Sequence, residues 1–273
     1  MKKISFCILL LLPFLVNAQL EKTLKKTIEL QMPKTAEDSF CGTRGAAVVW
    51  HPIQQKYYAA FAGNQAFPFA IFNSLGNRIS NENQTCLVDI RGLWYNPKLK
   101  KICGNAYSNI GWFSYQLDAK GFIERNEVYA AGKNQPDVQS IGIFNSSRNL
   151  VCFLYGQNIF VYNADAMQEE DSTIRLYPSI SKLTEINKED DGVELNENYN
   201  GNVLIYTGIP KAEFGLLNIT EKQVELYNSK TGLITQKLKL PSDIELWTSF
   251  NFSYANEIFW AFNKKERKWV GYK

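Results

Sequence analysis

The chain has 273 residues, 45% hydrophobic and 14% aromatic, which is enough apolar material for a large core and excludes an extended disordered polymer. Its 30 Lys and Arg face 27 Asp and Glu; setting aside Lys2 and Lys3 with the leader described below leaves 28 against 27. So even a balance carries no basic footprint for nucleic acid.

The first element is a leader. Met1, Lys2 and Lys3 precede an apolar run over residues 4–16, and Val16, Asn17 and Ala18 close it with a small-residue cleavage site before Gln19. This is the layout of a signal peptide over residues 1–18, predicting export to the periplasm or cell exterior. The apolar run falls short of the roughly 20 residues a membrane span needs, and no later run approaches that length, so no membrane anchor is expected. Residues 19–273 then read as one domain.

Next comes residues 28–33, whose alternating apolar side chains predict a strand. The same stretch places Leu20, Leu24 and Ile28 at i, i+4 spacing, so a helix competes there. From Trp50 onward a unit repeats. Trp50, Tyr95, Phe144, Tyr206 and Phe252 are each followed by turn-forming residues, and eight positions later stand Tyr58, Cys103, Cys152, Phe214 and Trp260 within further apolar runs. Each unit thus opens with a hairpin. Its first strand is a short apolar run, at residues 46–49, 92–94, 141–143, 203–205 and 249–251. A third strand recurs at residues 69–73, 113–118, 160–163 and 224–228. These end in Asn73, Asp118, Asn163 and Asn228, residue types that tolerate left-handed turns, with Gly76, Gly121 and Gly232 following three of them.

The five anchors are spaced by 45, 49, 62 and 46 residues. Several short strands per unit at a period of roughly 40–50 residues indicate an all-β, five-bladed β-propeller. The last unit ends at residues 268–273 on a third strand, while residues 28–33 match residues 236–241, the fourth strand of unit four. The N-terminal strand is therefore expected to close the last blade. Unit four is preceded by an extra acidic, Asn-rich stretch at about residues 179–198. It reads as an insertion between blades, or as a sixth blade in an alternative architecture.

The segments LYNSKTG (residues 226–232) and FVYNADA (residues 160–166) resemble the quinoprotein-like and YVTN-type β-propeller repeats. The resemblance spans nearly all of the chain after the leader. It implies a propeller, whose relatives include ligand binders, scaffolds and enzymes, and it transfers no activity and no functional residue.

The chemistry of the side chains narrows the function. His51, the lone histidine, occupies the turn position held elsewhere by Asn96, Asn145, Thr207 and Ser253, so no Ser-His-Asp or Cys-His system can be assembled. The repeating aromatic anchors are expected to pack between blades, and Trp94 and Trp112 in the core. Asp89 and Glu245 precede or begin first strands, where they could face one another at a channel mouth beside Arg44 and Arg91, as carboxylate catalysis on glycans requires. The insertion offers Asp190, Asp191 and Glu194 as oxygen ligands for Ca²⁺, without EF-hand spacing; no other cofactor is expected. Cys41 and Cys86 end inter-blade connections and form the candidate disulfide, whereas Cys103 and Cys152 fall at equivalent strand positions too far apart to bond. The preferred reading is an exported, non-catalytic binding or interaction module, taking a small molecule, glycan or protein on one propeller face. The alternatives are a propeller enzyme acting on glycans or peptides and, with less support, a quinone-dependent dehydrogenase.

Overall fold

A computed structural model describes residues 20–34, 44–81, 83–179, 195 and 197–273. Two short strands come first, β1 (Leu20–Thr23) and β2 (Lys26–Gln31). Blade one follows as β3 (Arg44–His51), β4 (Lys56–Ala62) and β5 (Phe69–Asn73). Blade two holds β6 (Ile90–Asn96), β7 (Lys101–Ala106), β8 (Trp112–Leu117) and β9 (Ile123–Ala130). Blade three holds β10 (Gly142–Asn145), β11 (Leu150–Tyr155), β12 (Asn158–Tyr162) and β13 (Ile174–Arg175). Blade four holds β14 (Ile205–Tyr206), β15 (Phe214–Asn218), β16 (Gln223–Tyr227) and β17 (Ile234–Lys239). Blade five is β18 (Phe252–Ala255), β19 (Ile258–Asn263) and β20 (Lys268–Tyr272), completed by β2.

Each blade is an antiparallel meander, and the first strands β3, β6, β10, β14 and β18 each neighbour the next around a closed ring. The molecule is a five-bladed β-propeller. Its upper face carries the starts of the first strands; its lower face carries the hairpins that follow them.

Middle strands are covered by a blade on either side, which explains their unbroken apolar runs. β4 (KYYAAFA) is buried at every position but its first, whereas the outermost strand β9 (IERNEVYA) is polar and largely exposed. Aromatic rings fill the wedges between blades. Tyr57 meets Trp260 with centroids 5.2 Å apart, Phe61 meets Phe262 at 5.4 Å, and Phe69 meets Tyr115 at 5.0 Å. Burying a ring of this kind contributes roughly 1.5–3 kcal/mol. Trp94 and Trp112 are core residues, 5.7 Å apart edge to face.

First strands of adjacent blades do not share a ladder, so side chains stitch them. Buried Asn105 accepts from Gly142 N–H (2.9 Å) and donates to Ser140 O (2.8 Å) and Gln135 Oε1 (2.6 Å). Asn251 accepts from Gly45 N–H at 2.8 Å, and Ser253 Oγ bonds both N–H and O of Val48 at 3.1 Å. Blades two and three approach so closely at Gly92 and Gly142 that a Cβ on Gly92 would run into the Gly142 backbone.

The hairpin tips follow the expected turn chemistry. Asn73, Asp118, Asn163 and Asn228 each accept two backbone N–H groups from the turn that follows. Gly76, Gly121 and Gly232 take left-handed φ values of 85°, 80° and 68°; blade three puts Ala166 there at 61°.

Closure matches the expectation and adds to it. β2 pairs antiparallel with β20, Leu30 opposite Trp269 and Gln31 opposite Lys268. The helix through Leu20, Leu24 and Ile28 does not form. Instead β1 runs parallel to β17 as a fifth strand on blade four, and Leu24 is buried where the chain steps to blade five. Among the described residues blade one shows no fourth strand; isolated bridges join Phe72 to Arg78 and Pro68 to Thr85 beside β5.

Blade five departs from the expected register. Residues 249–251 are not a strand: Phe250 and Asn251 take left-handed φ values of 52° and 60°. The strand is Phe252–Ala255, and its hairpin pairs Ala255 with Ile258, two residues tighter than the His51 to Lys56 hairpin of blade one. Ser253 therefore is not the turn residue equivalent to His51.

Candidate functional site: the central channel

The first strands enclose a channel cavity of about 300 Å³. Its wall is apolar, drawn from Ala46, Val48, Leu93, Ile141, Ile143, Val203, Ile205 and Phe252 among others. At its lower end stand Trp50, Tyr95, Phe144, Tyr206 and Tyr254, one ring per blade, each partly exposed. Trp50, Tyr95, Phe144, Tyr206 and Phe252 were expected to pack between blades. The first four border the channel as well, while Tyr95 meets the His51 ring of blade one and the Tyr206 hydroxyl donates to Ser147 Oγ of blade three at 2.9 Å. Blade five supplies Tyr254 rather than the buried Phe252. The pairing shows this: Tyr254 lies opposite Phe259 with rings 4.9 Å apart, as Trp50 lies opposite Tyr57 at 4.6 Å and Tyr206 opposite Phe214 at 5.6 Å.

Beneath the collar the turns are capped by the predicted residues. His51 Nδ1 accepts from Gln54 N–H at 3.2 Å, as Asn96 Oδ1 does from Lys98 and Leu99, Asn145 Oδ1 from Arg148, and Thr207 Oγ1 from Ile209. Burial holds the His51 imidazole below its usual range, and its ring lies 4.7 Å from Tyr95. A neutral cap suits that place and leaves the histidine committed to structure.

The upper mouth brings three of the four sequence candidates together. Arg91 forms an ion pair with Asp89 at 2.6 Å, and Asp89 Oδ1 also accepts from Gly63 N–H at 2.8 Å. The Arg91 guanidinium lies 4.3 Å from the Tyr107 ring and 5.8 Å from the Phe250 ring, which Arg44 approaches from its own blade at 5.8 Å. Glu245 is turned to Lys265 at 2.5 Å. Sequence reasoning missed Phe250, Trp247 and Lys264, whose ammonium sits 3.5 Å from the Trp247 ring. Trp247 and Phe250 lie in the connection before β18, and Lys264 in the turn between β19 and β20. Partial burial, reinforced by Arg44, keeps the Lys264 ammonium below the usual lysine range.

Asp190, Asp191, Glu194 and Cys41 lie outside the described residues. Among the described residues no three Asp, Glu, His or Cys side chains converge as a metal site. Cys86 is a buried thiol near the Phe61 and Pro68 carbonyls, and Cys103 and Cys152 are buried free thiols. The feet of the insertion meet at Glu225. This fully buried carboxylate accepts from Ser179 (2.5 Å), Gln223 (2.8 Å) and Asn218 (3.2 Å) on one oxygen and from Tyr227 (2.8 Å) and Tyr199 (2.9 Å) on the other.

No family profile and no characterised protein matches the sequence. The structure is similar to the glutaminyl cyclase of Myxococcus xanthus, with a TM-score of 0.53 and 9% identity over 93% of this chain and 97% of that one. The Swd1 (Cps50) β-propeller domain of Myceliophteria thermophila aligns with a TM-score of 0.47 and 7% identity over 91% of this chain and 99% of that one. The first likeness is one of fold. It is the fold already read from the strand order, and it assigns no chemistry.

Proposed function

We propose that the protein is an exported, non-catalytic binding module that holds a small molecule or the end of a glycan in its central channel. The observation that carries this reading is the collar of Trp50, Tyr95, Phe144, Tyr206 and Tyr254 at the end of an apolar cavity of about 300 Å³. A concave apolar site with a few oriented polar groups is the general form of a small-ligand pocket, and ring faces stack on sugars and planar metabolites alike. The rival reading, a propeller enzyme using Asp89 and Glu245, draws less support: Asp89 is committed to Arg91 and Gly63, and Glu245 to Lys265.

Thermal-shift screening against glycan and metabolite panels tests the proposal, because a ligand of the folded state raises apparent stability. A hit is expected to lose at least tenfold in affinity in Trp50→Ala and in Tyr254→Ala, with far-UV circular dichroism unchanged. A hit that binds both variants as well as the parent, or that is consumed during the assay, would overturn it.

A further inference from the structure

Three observations converge on the upper mouth, apart from the channel cavity. The first is charge. Arg44, Arg91 and Lys264 come from blades one, two and five to one place, and Asp89 neutralises only Arg91. Like charges crowded this way raise one another's energy, and an anion between them relieves that cost.

The second is unmet hydrogen-bonding capacity. Arg91 is 4% exposed, and its Nε–H and the Trp247 Nε1–H are both buried without an acceptor. Each such donor is destabilising until an acceptor reaches it. Tyr107 covers one and Lys264 the other, and both covering side chains are partly exposed, so they can move aside.

The third is strain. A bulky side chain at positive φ is rare, yet Phe250 stands at 52° beside Asn251 at 60°. Hydrogen bonds over-determine the pair: Asn202 Oδ1 accepts from Phe250 N–H, Asn200 Nδ2 donates to Phe250 O, and Asn251 bonds Gly45 in both directions. The result is a buried ring fixed between two guanidinium groups. Strain of this kind persists where an arrangement of side chains is being enforced.

We infer that the upper mouth binds an oxyanion, a carboxylate, sulfate or phosphate group, between Arg44, Lys264 and the covered donors of Arg91 and Trp247. Arg44 and Lys264 make the direct contacts, and Phe250 spaces the guanidinium groups.

Titration of the protein with sodium sulfate and with citrate, against sodium chloride at matched ionic strength, tests this by tryptophan fluorescence and thermal shift. Sulfate also stabilises folded chains generally by exclusion from their surfaces, so the reading is the difference between parent and variants. The parent is expected to show a saturable response absent in chloride. Arg44→Ala/Lys264→Ala, which removes two side chains that are not buried, is expected to keep its circular dichroism and lose at least tenfold in anion affinity. Lys265→Ala, with one charge lost next door, is expected to keep the parent affinity. Displacement of polygalacturonate or dextran sulfate by small anions would place the group on a polymer; saturation by small anions without polymer binding would place it on a free metabolite. Equal responses to sulfate and chloride, or an unchanged affinity in the double variant, would overturn the inference.

Discussion

Glu225 is fully buried, and the hydrogen bonds its carboxylate accepts from described residues all come from neutral donors. Burial pushes its carboxyl up, and the hydrogen bonds from Ser179, Tyr227, Gln223 and Tyr199 outweigh that, holding it below the usual carboxylate range. A depressed folded value means the stabilisation is fully present above the unfolded value, and is lost as pH falls from about 4.5 through the folded value. Glu225→Gln replaces one acceptor oxygen by a donor facing hydroxyl groups, at a cost of about 1–3 kcal/mol near neutral pH. Urea unfolding at pH 7, 5, 4 and 3 is expected to show that gap narrowing below about pH 4.5; a constant gap would mean the parent carboxyl is already neutral. This residue was detectable in principle. It is a lone acid in the otherwise apolar run Val224 to Tyr227, flanked by polar residues in the neighbouring strand. Its partners Ser179 and Tyr199 are far away in sequence, which hid its role at the root of the insertion.

At the scale of the strand, β2 covers the outer edge of blade five through its ladder to β20 and through Leu30 and Met32, both buried. Those two side chains alone represent about 3–6 kcal/mol of burial. Deleting residues 26–33 is expected to lower the melting temperature by more than ten degrees or to cause aggregation from the exposed edge. A truncated chain that melts with the parent would show the ladder to be dispensable. The strand was legible because its alternation and terminal Pro33 copy residues 236–241. β1 was not: a short parallel strand added to an outer edge needs no turn and leaves no signature. The slip in blade five has an equally plain cause, since an ungapped comparison cannot register a hairpin shortened by two residues, and it substituted Phe252 for Tyr254. The collar's exposure at the channel stayed hidden for a related reason. Position in a repeat tells which residues are equivalent, and it does not tell which side of a first strand is uncovered at its end.

For the molecule as a whole, a closed ring has no terminal blade that can fray alone, in contrast to an open stack of repeats. With Trp50, Trp94, Trp112 and Trp247 replaced by Phe, Trp260 and Trp269 report on blade five, while Cys103 and Cys152 report on blades two and three. Burial pushes both thiols up to about 12, so they stay unreactive until their blades open. Tryptophan fluorescence and thiol labelling along a urea series are expected to give one midpoint in the parent. Without residues 26–33 the fluorescence midpoint should fall below the thiol midpoint; split midpoints in the parent would show that the blades unfold independently. The same closure sets a timetable for the nascent chain. Thr27 Oγ1 donates to Gly271 O across 244 positions, and a ribosome adding roughly 5–20 residues per second leaves β2 without its partner for roughly 10–50 s. Throughout that interval β2 is waiting for the last strand made. Any second chain that offers a finished β20 offers the same ladder, so exchange of β2 between two molecules forms identical hydrogen bonds. Chain concentration during folding then decides how much of the protein closes on itself and how much is born as a strand-swapped pair.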